Sequence, residues 1–204
     1  MKIAITQRID FIQTRNEYRD SIDQALNKLL IQSGFIPVLV PNSLVTPKEN
    51  KKLIEWINII KPSGLVLSGG NDIGQYLNRD KTEQILYSWF LKKNLPILGI
   101  CRGMQLIGVL NGSNLKKVKN HLRTKHKIIN NSNGDVRIKN SFHLFSLKTC
   151  PEDFELTFHS SDNQIEGIKH IKKNIYGIMW HPERSKKFME DDINLIKNIF
   201  GKTL

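Results

Sequence analysis

Short apolar runs alternate with amphipathic segments along the first half of the chain. The apolar runs predict strands at Lys2 to Thr6, Phe35 to Val40, Gly64 to Leu67 and Ile97 to Ile100. Between them, apolar residues recur every three or four positions, which indicates helices. We expect these helices from Tyr18 to Leu30, from Pro47 to Ile60 and around Ile85 to Phe90. Strands and helices that alternate in this way predict a mostly parallel sheet flanked by helices.

The pattern changes after Gly112. A strongly basic stretch occupies residues 116–127, and short runs separated by turn residues then continue to Gly177. These runs are typical of β-strands, whereas the last apolar run, Ile175 to Trp180, and the periodic segment from Met189 to Phe200 predict a final strand and helix. We therefore expect an α/β fold with a flavodoxin-like core and a small β-rich section after residue 125.

Length and composition indicate one domain over residues 1–204. The chain has 204 residues, of which 39% are hydrophobic, and no linker interrupts it. Two cysteines, Cys101 and Cys150, are too few for a disulfide framework and suit a reducing compartment. Because neither a signal peptide nor a membrane-spanning run is visible, we expect a cytoplasmic protein that does not bind membranes.

The net charge of +12 favours anionic partners but does not identify them. The basic stretch 116–127 is either a solvated surface or a rim that attracts a phosphate-bearing substrate. It lacks interleaved aromatic residues, which argues against binding of single-stranded nucleic acid. The sequence leaves the oligomeric state open.

Cys101 lies at a predicted sharp turn from strand to helix. It stands between Gly99 and Gly103 in the pattern G-x-C-x-G, directly after the apolar run that ends at Ile100. This spacing is typical of a nucleophile elbow, in which side chains two residues before and after the nucleophile would collide. An isolated cysteine is more often a buried structural residue, so a partner base must support the catalytic interpretation.

His181 is the candidate base because it follows the last predicted strand. Glu183 stands two residues later, where it can orient the imidazole. An oxyanion hole needs two converging N–H donors. The backbone of Arg102 can supply one and that of Gly69 or Gly70 the other. The other histidines show no close spacing, so we expect no metal site and no cofactor.

These motifs together resemble the class I glutamine amidotransferase superfamily, and within it the γ-glutamyl hydrolase branch (peptidase family C26). The resemblance covers nearly the whole chain. It rests on Leu67-Ser68-Gly69-Gly70-Asn71-Asp72, Gly99-Ile100-Cys101-Arg102-Gly103-Met104-Gln105, Asn140-Ser141-Phe142-His143, Asp162…Ile165-Glu166 and Gly177-Ile178-Met179-Trp180-His181-Pro182-Glu183. It implies a class I glutamine amidotransferase-like fold and a triad of Cys101, His181 and Glu183.

The resemblance also implies the reaction and the substrate-binding residues. The enzyme would hydrolyse a γ-glutamyl amide through a glutamyl thioester and release L-glutamate. The residues expected near the substrate are Gln105, Asn140, Ser141, Phe142 and His143. The expected substrate is a small molecule that bears a phosphate or nucleotide. γ-Glutamyl-CDP-amidate, which would give cytidine diphosphoramidate for capsular polysaccharide modification, is favoured. A γ-glutamyl-γ-aminobutyrate-type amide is an alternative.

Two further interpretations remain open. The chain could be the glutaminase subunit of an amidotransferase that delivers ammonia to a synthase partner. It could also be a binding protein that kept the fold without the chemistry, although an intact triad argues against this. If a diphosphate is bound, the candidate cations are Arg102, Lys116, Lys117, Arg123, Arg8, Arg15 and Arg19.

Overall fold

A computed structural model describes residues 1–46 and 48–201. Within these residues the strands are β1 (Lys2–Thr6), β2 (Arg8–Ile12), β3 (Glu17–Ser21), β4 (Ile36–Val40), β5 (Gly64–Leu67), β6 (Ile97–Ile100), β7 (Leu115–Lys117), β8 (Leu122–Asn130), β9 (Val136–Phe142), β10 (Phe145–Leu147), β11 (Phe154–Ser160), β12 (Ile165–His170) and β13 (Ile175–Ile178). The helices are α1 (Gln24–Gln32), α2 (Lys51–Ile60), α3 (Leu77–Lys92), α4 (Arg102–Leu110) and α5 (Glu190–Phe200).

One large sheet forms the centre of the fold. Its strand order is β4-β1-β5-β6-β13-β12-β11-β8-β9. The strands from β4 to β13 are parallel, whereas those from β12 to β9 pair antiparallel. The expected mostly parallel sheet flanked by helices is therefore confirmed, and the β-rich section begins at β7, earlier than expected.

The segment before α1 differs from the prediction. Tyr18 lies on β3, which pairs with β2 in a separate hairpin, and α1 begins only at Gln24. The side chain of Asp23 accepts a hydrogen bond from the Ala25 N–H (2.9 Å) and so caps the helix. The predicted helix over residues 18–23 is therefore wrong, whereas its remainder to Leu30 is confirmed, and Gly34 (φ +92°) follows the end of α1.

The remaining helices lie close to their predicted positions. Helix α4 packs on β5, β6 and β13, and α3 packs on β5 and β6. The predicted start of α2 at Pro47 lies outside the described residues. In the part of the chain that the structure describes, no helix is both long and apolar enough to cross a membrane.

Candidate active site

Cys101 has the backbone geometry of a strained turn. It follows β6 directly and precedes α4, with φ 52° and ψ −107°, a conformation that costs free energy for any residue but glycine. A Cβ atom on Gly99 would lie 2.6 Å from the carbonyl carbon of Gly103, and one on Gly103 would lie 2.0 Å from the Leu67 carbonyl oxygen. Both glycines are therefore sterically required, as the sequence predicted.

The pairing of β6 with β13 brings His181 to Cys101. Ile178 lies beside Ile100 in parallel register, and its carbonyl oxygen accepts a hydrogen bond from the Cys101 N–H (2.7 Å). Because the carboxyl ends of adjacent parallel strands share one edge of a sheet, His181 follows at the same edge. Its imidazole lies near enough to the Cys101 side chain for the two groups to interact electrostatically. The imidazole Nδ1–H donates to Glu183 Oε1 (2.7 Å), and all three side chains are buried.

The surroundings of His181 favour its protonated form. Burial lowers the pKa of the imidazole, but its contacts with Cys101 and Glu183 outweigh burial and raise the pKa to about 9. The ring therefore carries a positive charge at neutral pH. A cation in contact with sulfur stabilises the thiolate, which is the reactive form of cysteine.

We expect iodoacetamide at pH 7 to alkylate Cys101 well before Cys150. His181 supplies the stabilising charge at Cys101, whereas burial, together with Glu155, raises the pKa of the Cys150 thiol. Mass-spectrometric mapping of the two cysteine peptides over time measures both rates. His181→Gln should slow labelling of Cys101 and leave that of Cys150 unchanged, whereas equal rates in the unaltered protein would contradict the expectation.

A cavity of about 330 Å³ opens beside Cys101. Three of the predicted substrate-binding residues, Gln105, Phe142 and His143, line it. Sequence reasoning missed the other residues of its wall, which are Asn71, Asp72, Gln75, Leu122, Leu144 and Phe145. Leu144 and Phe145 directly follow His143, the last of the residues predicted to bind substrate, and this adjacency was the available signal. The Phe145 carbonyl oxygen accepts a hydrogen bond from Gln105 Nε2 (2.8 Å).

Asn140 and Ser141 do not line this cavity and make other contacts. Asn140 Nδ2 donates to the His181 carbonyl oxygen (2.7 Å), and Asn140 Oδ1 accepts from the His181 N–H (2.9 Å). Ser141 Oγ donates to the His121 carbonyl oxygen (2.6 Å). Asn140 therefore fixes the backbone that carries the imidazole, a role that its predicted position near the substrate did not include.

The two candidate glycines of the oxyanion hole face different ways. Gly70 lines the cavity together with Cys101 and Arg102, whereas a Cβ atom on Gly69 would lie 2.6 Å from His181 Cε1. The Arg79 guanidinium donates hydrogen bonds to the carbonyl oxygens of Ser68 and Gly69 (3.0 Å each). Because a trans peptide holds its N–H opposite its C=O, the Gly70 N–H points away from Arg79.

A buried ionic network supports this turn and was not visible in the sequence. Glu83 Oε1 accepts a hydrogen bond from Thr6 Oγ1 (2.7 Å) and lies 3.2 Å from Arg79 Nε. Arg102 forms ion pairs with Glu83 and Asp80. Burial raises the pKa of the Glu83 carboxyl, but the two guanidinium groups outweigh this and hold the pKa below its usual value. Arg79 and Glu83 stand four apart on α3, a spacing that is also typical of ion pairs on exposed helix surfaces.

The network corrects one expectation about phosphate binding. The side chain of Arg102 is buried between two carboxylates, so it cannot reach a phosphate in the cavity. Arg8 and Arg19 are half-exposed and pair with Asp10 and Glu17. The Arg8 side chain lies close to Gly70, since a Cβ atom there would be 3.0 Å from Arg8 Cδ.

Three histidines that lie apart in the sequence come together. His121, His126 and His143 surround the buried carboxylate of Glu166. The basic stretch 116–127, considered as either a solvated surface or a rim, therefore also contributes two residues to an internal cluster. Sequence spacing gave no sign of it, because the cluster depends on the pairing of β8 with β9.

The chain is similar to known proteins in both sequence and fold. The family model of glutamine amidotransferase class-I matches residues 16–202. γ-Glutamyl-CDP-amidate hydrolase of Campylobacter jejuni is 32% identical, over 98% of this chain and 98% of that protein. The glutamine-hydrolysing GMP synthase subunit of Methanosphaera stadtmanae is 30% identical, over 86% of this chain and 88% of that protein. A crystal structure from Thermoplasma acidophilum, described as that of a GMP synthase subunit, has a TM-score of 0.72 at 23% identity and covers 98% of this chain and 92% of its own, which shows a shared fold.

Proposed function

The chain belongs to the glutamine amidotransferase class-I family, and on that premise we propose that it hydrolyses a γ-glutamyl amide with Cys101 as nucleophile. One observation carries the proposal: the contact series from Glu183 through His181 to Cys101 ends beside a cavity that Gly70 and Arg102 also line. Nucleophile, base and orienting carboxylate in contact are the arrangement that acyl transfer to cysteine requires.

In the first half of the reaction, Cys101 Sγ attacks the δ-carbonyl carbon of the γ-glutamyl group. A C–S bond forms, and the N–H groups of Gly70 and Arg102 receive the negative charge on the carbonyl oxygen. The imidazolium of His181 then gives its proton to the departing nitrogen as the C–N bond breaks. The products of this half are a glutamyl thioester and the free amine or amidate.

In the second half, water replaces the leaving group. Neutral His181 takes a proton from water, and the resulting hydroxide equivalent attacks the thioester carbonyl. The C–S bond breaks, glutamate leaves, and the Cys101 thiolate again faces the His181 imidazolium. Glu183 stabilises the positive ring in both halves because it accepts the Nδ1–H hydrogen bond.

For the leaving group we favour cytidine diphosphoramidate, so that the substrate is γ-glutamyl-CDP-amidate. Support comes from the relative of that name, from the net charge of +12 and from two arginines that lie next to residues of the cavity wall. Arg8 lies beside Gly70, and Arg123 follows the cavity residue Leu122. The glutamyl group would occupy the cavity, and the diphosphate would extend to these guanidinium groups.

A second candidate function is that of a glutaminase subunit with a synthase partner. The similarity to the glutamine-hydrolysing subunit of GMP synthase favours it. Such a subunit would use the same nucleophile and form the same thioester, but its substrate would be free glutamine. Its activity would rise when the partner subunit binds.

Glutamate release from γ-glutamyl-CDP-amidate, glutamine and γ-glutamyl-γ-aminobutyrate distinguishes these functions. We expect kcat/KM for the nucleotide substrate to exceed the values for the other two substrates by about 100-fold or more. Two charge-assisted hydrogen bonds to the diphosphate contribute a free energy that corresponds to at least this ratio. Arg8→Gln should reduce kcat/KM for this substrate alone, and Arg19→Gln, a matched arginine on the same hairpin, should not. Equal turnover of glutamine, or activation by a synthase partner, would favour the second function.

A further inference from the structure

The carboxylate of Glu166 lies where three imidazoles converge. Glu166 is on β12 and has no exposed surface. His121 Nδ1 lies 3.5 Å from its Oε1, and His126 Nε2 and His143 Nε2 each lie 3.4 Å from the same oxygen. His121 and His143 are each 3% exposed, so these two polar groups are also removed from water.

These facing atoms do not form hydrogen bonds with one another. Among the described residues, the three nitrogens and both oxygens of Glu166 are buried without a hydrogen-bond partner. Polar atoms buried in this way are costly, and each needs an explanation. The separations of 3.4 and 3.5 Å exceed ordinary hydrogen bonds. They match the distance of about 3.3–3.4 Å between two ligand atoms on a tetrahedral zinc ion with bonds of about 2.0–2.1 Å.

In two of the imidazole rings, those of His121 and His143, a hydrogen bond on the side away from Glu166 determines which nitrogen carries the lone pair toward Glu166. His121 Nε2 donates to Asp162 Oδ2 (3.0 Å), and His143 Nδ1 donates to the Phe145 carbonyl oxygen (3.0 Å). In the neutral rings, His121 Nδ1 and His143 Nε2 therefore direct lone pairs at the Glu166 oxygen. Imidazoles held from behind by a carboxylate or a carbonyl are typical of metal ligands.

These lone pairs and the carboxylate face one another across a point where a single cation can bind. Protons on several rings would place several positive charges inside the protein. One divalent ion satisfies the same donor atoms together and leaves the rings neutral.

We propose that His121, His126 and Glu166 bind a divalent transition-metal ion of the zinc type. The donor atoms of these three residues all lie within 4.8 Å of one another. Imidazole nitrogens with one carboxylate oxygen suit zinc. The reaction proposed for Cys101 needs no metal, so we assign the ion a structural role.

The position of this metal site gives it a defined effect. It would join β12 to β8, which pairs with β9, and Phe142 at the end of β9 forms one wall of the active-site cavity together with His143 and Phe145. His143 belongs to both, because it lines the cavity and faces Glu166. The ion would thus hold that wall at a fixed distance from Cys101.

Metal content and thermal unfolding of the whole protein test the proposal without reference to activity. The protein is stripped with a chelator, given zinc chloride alone, freed of excess metal and analysed by elemental mass spectrometry. We expect one zinc ion per chain and a Tm several degrees above that of the stripped protein. Prior alkylation of Cys101 should not reduce the zinc content, which excludes binding at the Cys101–His181 pair.

Matched variants locate the ion. Glu166→Gln and His126→Gln should each lose the zinc and the rise in Tm, whereas His159→Gln, which changes a histidine outside the cluster, should keep both. If the cluster variants do not fold, the cobalt(II) spectrum of the unaltered protein decides, since a tetrahedral site with nitrogen and oxygen ligands gives strong visible bands without a thiolate band. An unaltered protein that binds no zinc, or equal zinc in Glu166→Gln, overturns the proposal.

Discussion

Cys101→Ala is expected to reduce glutamate release by about 10⁴-fold or more, since removal of a nucleophile or its base leaves only binding and oxyanion stabilisation. The substitution removes one sulfur atom and keeps the backbone turn, so the fold should persist. Steady-state assays with the γ-glutamyl panel measure the loss. Mass spectrometry of the unaltered protein during turnover should detect a glutamyl adduct on the peptide that contains Cys101.

Cys150→Ala is the matched control for this variant. Its thiol donates a hydrogen bond to the Phe154 carbonyl oxygen (3.3 Å) and lies outside the cavity beside Cys101. We expect near-normal activity and no change in the adduct. Substantial turnover by Cys101→Ala, or an adduct on Cys150, would contradict the proposed chemistry.

Glu83→Ala is expected to lower the free energy of unfolding by about 3–5 kcal/mol, because it leaves buried guanidinium charges without their carboxylate. Arg79 is fully buried, and burial lowers the pKa of its guanidinium to about 10 despite the opposing effect of Glu83. Urea unfolding followed by circular dichroism measures the change. Because Arg79 also donates hydrogen bonds to the carbonyl oxygens of Gly69 and Gly70, kcat should fall as well.

An exposed ion pair on the neighbouring helix provides the comparison. Glu55 pairs with Lys52 on α2 (2.8 Å), and both side chains are largely in solvent. Glu55→Gln should leave the unfolding curve unchanged, since exposed pairs contribute little. Similar urea unfolding curves for the Glu83 and Glu55 variants would show that the buried network does not stabilise the folded state.

The candidate catalytic pair, Cys101 and His181, was predictable because each residue lies in a short sequence motif. Gly99, Cys101 and Gly103 satisfy steric requirements within five consecutive positions, and each glycine has a close contact that excludes a side chain. His181 and Glu183 are likewise two residues apart. Their meeting with Cys101 required only that two apolar strands lie side by side, which an alternating strand and helix pattern predicts.

Features that depend on pairing between distant segments were not predictable. Tyr18 and Ile22 have helical spacing, yet Tyr18 pairs with Phe11 across the β2–β3 hairpin, since tertiary contacts override a short periodic pattern. The histidine cluster requires the register of β8 against β9, including an irregularity between Leu122 and Thr124. No count of sequence separations reveals a register of that kind.

The adjacency of β6 and β13 has a consequence for redesign. The spacing of sulfur and imidazole is set by the pairing of two neighbouring strands, whereas part of the cavity wall comes from residues that lie between those strands in the sequence, namely Leu122, Phe142, His143, Leu144 and Phe145. Substitutions at these five positions can therefore reshape the cavity without moving either strand. Exchanging them for the residues of a relative offers a route to a different leaving group while the proposed bond-breaking step is kept.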